Sequence, residues 1–368
     1  MRWLSRSRHH AITLAWAIGL VACTPRTRRT PDDTLVMISQ EAMASSDPRY
    51  AISSYDSKLA KLVHAGLTAV DTPSLEPRLD LAARIDRIDD LTYDVALRPD
   101  AKFSDGKPVT ARDVARTYHA VLDEGSDSLF HRGYAERFVA VEAITPTLVR
   151  FRLVKPFATF RSDIDFGILS FHGVPDGQPL ASGMGRGAGP YILRELSSTA
   201  AYLDANPHYP ERPKLPHVEI RFVKNDAARM LMLVGGSADL IQNSARQDLI
   251  DDVAERPRIR VTTSPSVLLT YLMMNNDDPM LRDVRVRRAI ALALDRPKII
   301  AAKFSGRAVL ATGLLPPTHW AYEGDVMRYG RDLARARALL DEAGLRRGGD
   351  GTRVKLKALV LPYGEVWQ

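Results

Sequence analysis

Cysteine is almost absent from this sequence. The 368-residue chain holds one, Cys23, so no internal disulfide can form. Long apolar runs are missing too: the longest, AITLAWAIGLVA at 11–22, falls short of the roughly 20 residues a membrane-spanning helix needs. The nine histidines are scattered, with no paired helical spacing for zinc. Glycines 183, 185, 187 and 189 of SGMGRGAGPY alternate, which misses the dinucleotide-binding spacing, and no Lys-Ser/Thr pair follows to make a phosphate loop. A proline and a strand come next, so the run reads as a hinge or crossover loop. GGSAD at 235–239 misses the nucleophile-elbow pattern at its last position. Basic residues are interleaved with acids and form no aromatic-basic stripe, which argues against nucleic acid as a partner. No fixed-period repeat and no catalytic constellation emerges. No metal or cofactor is expected.

The remaining composition is globular, 45% hydrophobic and 26% charged, and the length suits two or three domains. The amino terminus carries a local signal. Arg2, Arg6 and Arg8 precede the 11–22 stretch, the arrangement of a secretory signal peptide over 1–22. Loss of those three arginines lowers the formal charge from +7 to +4. Leu20-Val21-Ala22-Cys23 resembles a bacterial lipobox, which makes Cys23 the expected lipid-attachment residue. More than one acyl chain makes a stable anchor. Residues 23–33 then serve as lipidated cysteine and polar tether, so the protein is expected outside the cytoplasm, lipid-anchored and facing the periplasm or cell exterior.

The stretch LRPDAKFSDGKPVTARDV, 97–114, gathers Asp100, Asp105 and Asp113 in one polar run. Its carboxylates are too far apart for a calcium loop, and Lys102 and Lys107 lie between them. Asp105-Gly106 instead reads as a turn with glycine at positive φ. Thr110 reads as the N-cap of a helix over 110–124, with Asp113 completing a capping box.

Strands are expected at 34–39, 91–98, 147–154, 191–196, 217–223, 259–263 and 268–275. Helices are expected at 56–67, 110–124, 226–236, 283–296 and 331–344. The first carries the stripe Leu59, Leu62, Val63, Leu67, and the last ends on Gly344 as its cap. The mixture predicts an α/β chain.

Five segments also resemble, in order, one known family. LRPDAKFSDGKPVTARDVARTY is its most recognisable segment, and SSDPRYAISSYDSKLAKLVHAGLTAVD is similar to its opening one. GAGPYILRELSSTAAYLDANPHYP, YLMMNNDDPMLRDVRVRRAIALALDR and TGLLPPTHWAYEG follow. The family is that of the extracellular solute-binding proteins of ABC transporters, oligopeptide/dipeptide/nickel-binding class, and the resemblance covers about 34–368. The turn NPHYPERP lacks the family's usual Trp, and the chain stops at LPYGEVWQ where members continue.

The resemblance implies a periplasmic-binding-protein-like α/β fold, two lobes around a cleft with an inserted accessory domain and an incomplete second lobe. Lobe one is placed at 32–47 plus 172–266, the accessory domain at 48–171 and lobe two at 267–368. The function implied is capture of short peptides and delivery to ABC permease subunits by a monomer, not catalysis. A nickel complex, haem or an opine stays open as cargo. An exported hydrolase, or a remnant without function, is the alternative. Ligand contacts are expected from Ser53, Ser54 and Tyr55, from Tyr271 and Asn275, and from Glu365, which would pair with a peptide's amino group. Ser53–Tyr55 could instead only start a helix, Tyr271 only fill a core, and Asn275 only cap a turn.

Overall fold

The computed structural model describes residues 30–71, 74–181, 183, 186–264 and 266–359. In chain order these form strand β1 (Thr34–Ser39), helix α1 (Ser54–Val63) and the short strands β2 (Thr68–Ala69) and β3 (Arg78–Leu79). Next come β4 (Ala82–Arg87), β5 (Thr92–Leu97), α2 (Ala111–Leu122), α3 (His131–Ala135), β6 (Phe138–Thr145), β7 (Leu148–Leu153) and α4 (Phe160–Asp163). The chain continues through β8 (Tyr191–Leu196), β9 (Ala200–Ala205), β10 (His217–Phe222), α5 (Asp226–Val234) and β11 (Leu240–Ile241). It ends with α6 (Ile250–Ala254), α7 (Val284–Ala293), α8 (Arg296–Phe304) and α9 (Leu333–Glu342).

One sheet has the order β11-β1-β10-β9-β8. Its centre is parallel: Val36 stands beside Glu219 of β10, and Met37 beside Leu240 of β11. A parallel strand covered on both faces needs apolar residues on both, and TLVMIS supplies them. Val36 and Ile38 are fully buried in a cluster with Ala238 and Met232. Leu35 and Met37 pack on the opposite face, in the cluster that holds Leu59 and Val63 of α1. Helix α1 thus seats its apolar stripe on this five-stranded sheet.

The second sheet is antiparallel, β4-β5-β7-β6, with Val95 opposite Val149. Here the pattern alternates, as a one-faced sheet requires: Val149, Phe151 and Leu153 of β7 are buried. Helix α2 covers this face. Tyr118 is wholly buried and meets Phe151 and Phe138 edge-on, with ring centroids 5.1 and 5.7 Å apart.

Thr110 caps α2 as expected. Asp113 N donates to Thr110 Oγ1 at 3.3 Å, and Thr110 N donates to Asp113 Oδ2 at 3.1 Å, a reciprocal box that satisfies two helix-end donors. Gly106 takes φ +83° in the preceding turn. Asp113 also accepts from Phe171 N at 3.0 Å, so the cap ties the helix start to the segment after α4.

Several expectations need correction. Helix α1 stops at Val63 because His64 turns to φ −120°, ψ 136°. Leu67 therefore lies off the helix and is buried instead in the core of the antiparallel sheet. The helix expected over 283–296 ends at Ala293, where Asp295 caps a new helix, α8, with its side chain. Among the described residues no strand forms at 259–263 or 268–275, because none of them pairs with these segments and a strand is defined by its partner. Strands β4, β6 and β9 went unpredicted. AARIDR is too polar to read as a strand, and AAYLDA is too alanine-rich.

The glycine run proves to be a close-approach loop in its described part. A Cβ on Gly187 would lie 1.9 Å from the Val63 carbonyl oxygen. Gly189 N donates to that same oxygen at 2.9 Å, which fastens the loop to the end of α1.

Candidate functional site

In open α/β sheets, ligands bind outside the carboxyl ends of the strands, where neighbouring connections leave in opposite directions. Strand β1 is such a place. Its parallel neighbours β10 and β11 flank it, and the chain passes between those two through α5 on one face while α1 covers the other.

The residues just past β1 are held tightly. Ser39 Oγ donates to the Glu41 carbonyl at 2.5 Å and accepts from Glu41 N at 3.2 Å. Asp56, in the first turn of α1, accepts from Ala44 N at 2.7 Å and Ser45 N at 3.2 Å. It is buried, and Ser53 Oγ donates to it at 2.9 Å. Ser53 Oγ in turn accepts from Asp56 N at 2.9 Å and caps the helix. Ser54 begins the helix and is exposed.

Tyr55 is buried in the cluster beneath the sheet. Burial pushes its phenol pKa up, the Glu41 charge adds to that, and Arg229 and a hydrogen bond with the backbone of Gln40 oppose it. Lys58 Nζ lies over the ring, 5.4 Å from its centroid, and burial lowers the Lys58 pKa.

Arg229 of α5 is the organising group that the sequence did not announce. It is buried and donates from Nε to Ser244 O at 3.0 Å and from Nη1 to Val223 O at 2.9 Å and Lys224 O at 2.7 Å. Its Nη2 pairs with Asp226 at 2.6 Å. One guanidinium thus joins the loops that follow β10 and β11. Its only sequence signal is an arginine within an apolar helical stretch, DAARMLMLV. A shallow depression at this edge, lined by Ser39, Glu41, Met43, Ser197 and Phe222, has room for about one water.

A second buried charge group lies further along. Asp47 and Arg49 pair at 2.7 Å, and Arg49 Nη1 donates to Leu180 O at 2.9 Å. Burial opposes ionisation of Asp47, but hydrogen bonding and the charge of Arg49 outweigh it and hold the carboxyl below its usual value. This pair links the segment before α1 to the segment between α4 and β8.

Tyr271 and Asn275 follow the five-stranded sheet in sequence. Tyr271 is 63% exposed, so it is not a core residue. Asn275 opens a turn: its Oδ1 accepts from Asp277 N at 3.0 Å and its carbonyl from Asp278 N at 3.3 Å. No hydrogen bond or ring contact among the described residues joins either to Ser53, Ser54 or Tyr55. Cys23 and Glu365 lie outside the described residues. Among the described residues no cluster of three or more His, Cys, Asp or Glu could hold a metal ion, and no helix is long and apolar enough to cross a membrane.

The family model described as bacterial extracellular solute-binding proteins, family 5 Middle, matches residues 76–366. The chain belongs to this family. It is a family of transport binding proteins, not of enzymes. The chain is 28% identical over 330 residues to the probable D,D-dipeptide-binding periplasmic protein DdpA of Escherichia coli K12, covering 85% of this chain and 63% of that one. It superposes on NikZ of Campylobacter jejuni, solved with Ni(L-His), with a TM-score of 0.78 and 26% identity over 89% of this chain and 66% of that one. It matches the oligopeptide-binding protein AppA of Bacillus subtilis, solved with a nonapeptide, with a TM-score of 0.75 and 25% identity, covering 88% of this chain and 66% of that one. The fold is therefore the α/β fold of the two-lobed periplasmic binding proteins. This family-5 chain spans 63–66% of the length of these relatives, less than two thirds.

Proposed function

We propose that this chain acts in an ABC importer by capturing short peptides between two lobes and delivering them to a membrane permease. The observation that carries this reading is the ordered carboxyl edge at β1, β10 and β11 in a chain of a solute-binding family. The relatives' ligands, a D,D-dipeptide, a nonapeptide and a nickel–histidine complex, support a peptide or amino-acid-derived cargo. An extended peptide satisfies its backbone by lying as an added strand, and its closure of the lobes requires tighter binding to the closed form.

Ser54 offers its exposed hydroxyl to such a ligand, whereas Ser53 and Tyr55 shape the edge, the one as cap and the other from below. Tyr271 and Asn275 contribute from lobe two, and Glu365 receives the peptide's ammonium group. Lobe one is assigned to 32–47 plus 172–266, the accessory domain to 48–171 and lobe two to 267–368; α1, inside 48–171 by number, packs on the lobe-one sheet. Cys23 carries the lipid anchor after removal of 1–22.

The test is incubation of the purified chain with trialanine followed by native mass spectrometry. Retention of the intact peptide supports capture. Cleavage would replace this reading with an exported hydrolase, and no complex would reject it.

A further inference from the structure

Helix α8 ends in a tight reversal. Ser305 and Gly306 both take left-handed backbone, at φ +48° and +74°, which stops the helix and turns the chain off its axis. Gly306 N donates to Ile300 O at 3.3 Å and Arg307 N to Phe304 O at 2.8 Å, so the turn is fixed by the helix's own last carbonyls. The Arg307 side chain then reaches α6, where it pairs with Asp251, 56 positions earlier. Side-chain exposure is 26% for the arginine and 81% for the aspartate. The cation is mostly covered, and the carboxylate stays open to water.

A braced turn at 316–322 makes a second contact with an earlier part of the chain. His319 N donates to Pro316 O at 2.9 Å, Tyr322 N donates to His319 O at 3.0 Å, and the Tyr322 and Thr312 hydroxyls bond at 2.8 Å. This bracing holds the peptide group of Trp320, whose N donates to Ser74 O at 3.3 Å. Under the assignment above, Arg307 and Trp320 belong to lobe two, Asp251 to lobe one and Ser74 to the accessory domain. Both contacts therefore cross the boundary that closure acts on. A contact made only in the closed form stabilises that form. It then raises affinity for any ligand that needs closure, without touching the ligand.

We propose that the Arg307–Asp251 ion pair is a latch between the lobes that holds the closed form and strengthens peptide capture. The inference rests on the capture reading and its lobe boundary. Arg307 is the positioning group, since the turn after α8 fixes where its charge lies. Asp251 is the partner that water solvates when the lobes part. Trp320 N and Ser74 O fasten the same lobe at a second place.

Calorimetry with trialanine on the purified chain, at about 50 mM and about 1 M NaCl, tests this. Asp251→Asn and Arg307→Gln should each weaken binding about two- to fivefold at the lower salt. The charge swap Asp251→Arg with Arg307→Asp should restore it. At about 1 M salt, where the screening length is roughly 3 Å, the difference between parent and variants should shrink. The melting point of ligand-free Asp251→Asn should match that of the parent, because Asp251 is exposed. Equal affinity of the parent and both single variants at low salt overturns the latch, as does a loss that the swap leaves unrepaired. A lower melting point with unchanged affinity also overturns it and makes the pair a fixed contact. A parent that binds no trialanine rejects the capture reading itself, and the latch falls with it.

Discussion

His64 couples its burial to a pH dependence of stability. It follows the last residue of α1, beside the loop that leads into β8. The residue is buried, its Nδ1 has no hydrogen-bond partner, and a Cβ on Gly187 would lie 2.8 Å from that nitrogen. Burial pushes its pKa down from 6.5 to about 4, with Asp47 and a hydrogen bond to the backbone of Ile168 opposing the fall and Arg49 adding to it. The folded chain therefore keeps the imidazole neutral where the unfolded chain protonates it. Between pH 6.5 and 4 the unfolded state binds more protons, so folding stability falls with pH in that window. It is fully present above 6.5, is lost progressively down to about 4, and changes no further from this group below that. A shift of this size corresponds to about 3 kcal/mol, at 1.36 kcal/mol per unit. Many carboxylates titrate in the same range, so one pH curve cannot isolate the effect. The difference between parent and His64→Leu can, because the carboxylates are common to both. Urea denaturation at pH 7.5 and pH 4 should show the parent losing about 3 kcal/mol more than the variant between the two conditions. Parallel curves would refute the reasoning and would mean that His64 is solvated in solution.

Thr110→Ala should cost about 1 kcal/mol by removing a helix cap, read as a lower denaturation midpoint; lost peptide binding with an unchanged midpoint would move α2 into the ligand site. Gly187→Ala should cost about 1–3 kcal/mol, because its Cβ would strike the Val63 carbonyl, and a neutral result in the same assay would show that the loop can retreat from α1. Cys23→Ser should abolish incorporation of radioactive palmitate in a bacterial host, and equal labelling of parent and variant excludes lipidation at that residue. If Glu365 receives the peptide's amino group, N-acetylation of trialanine should cost about 2–5 kcal/mol of binding by calorimetry; equal affinity removes Glu365 from the site.

The sequence was most legible where local chemistry decides the outcome. Thr110, Asp113, Asp105 and Gly106 form a cap and a turn from side chains and backbone within ten residues, so their string carried their geometry. TLVMIS was legible as a strand from its apolar centre, LVMI. The misreadings share one cause, dependence on distant partners. Leu67 fits the α1 stripe by spacing, yet the backbone at His64 hands it to another core. LLTYLMMN has the composition of a strand, but among the described residues no strand pairs with it, and composition does not name a partner.

The same dependence explains why the candidate site was only half visible. Tyr55 could be suspected from its neighbours in sequence, but its environment comes from residues far along the chain. Arg229 stands 174 positions away by residue number, and it reaches the edge only because β10 and β11 flank β1. Its guanidinium meets three backbone carbonyls, from Val223, Lys224 and Ser244, together with Asp226. Those groups leave it little capacity to bind a ligand directly. Its effect is to fix the two loops whose backbone borders the edge, while the Ser54 and Glu41 side chains nearby are exposed. The edge is thus built from a buried cation that shapes and exposed groups that can contact, a division that follows from burial and hydrogen-bond saturation rather than from residue type.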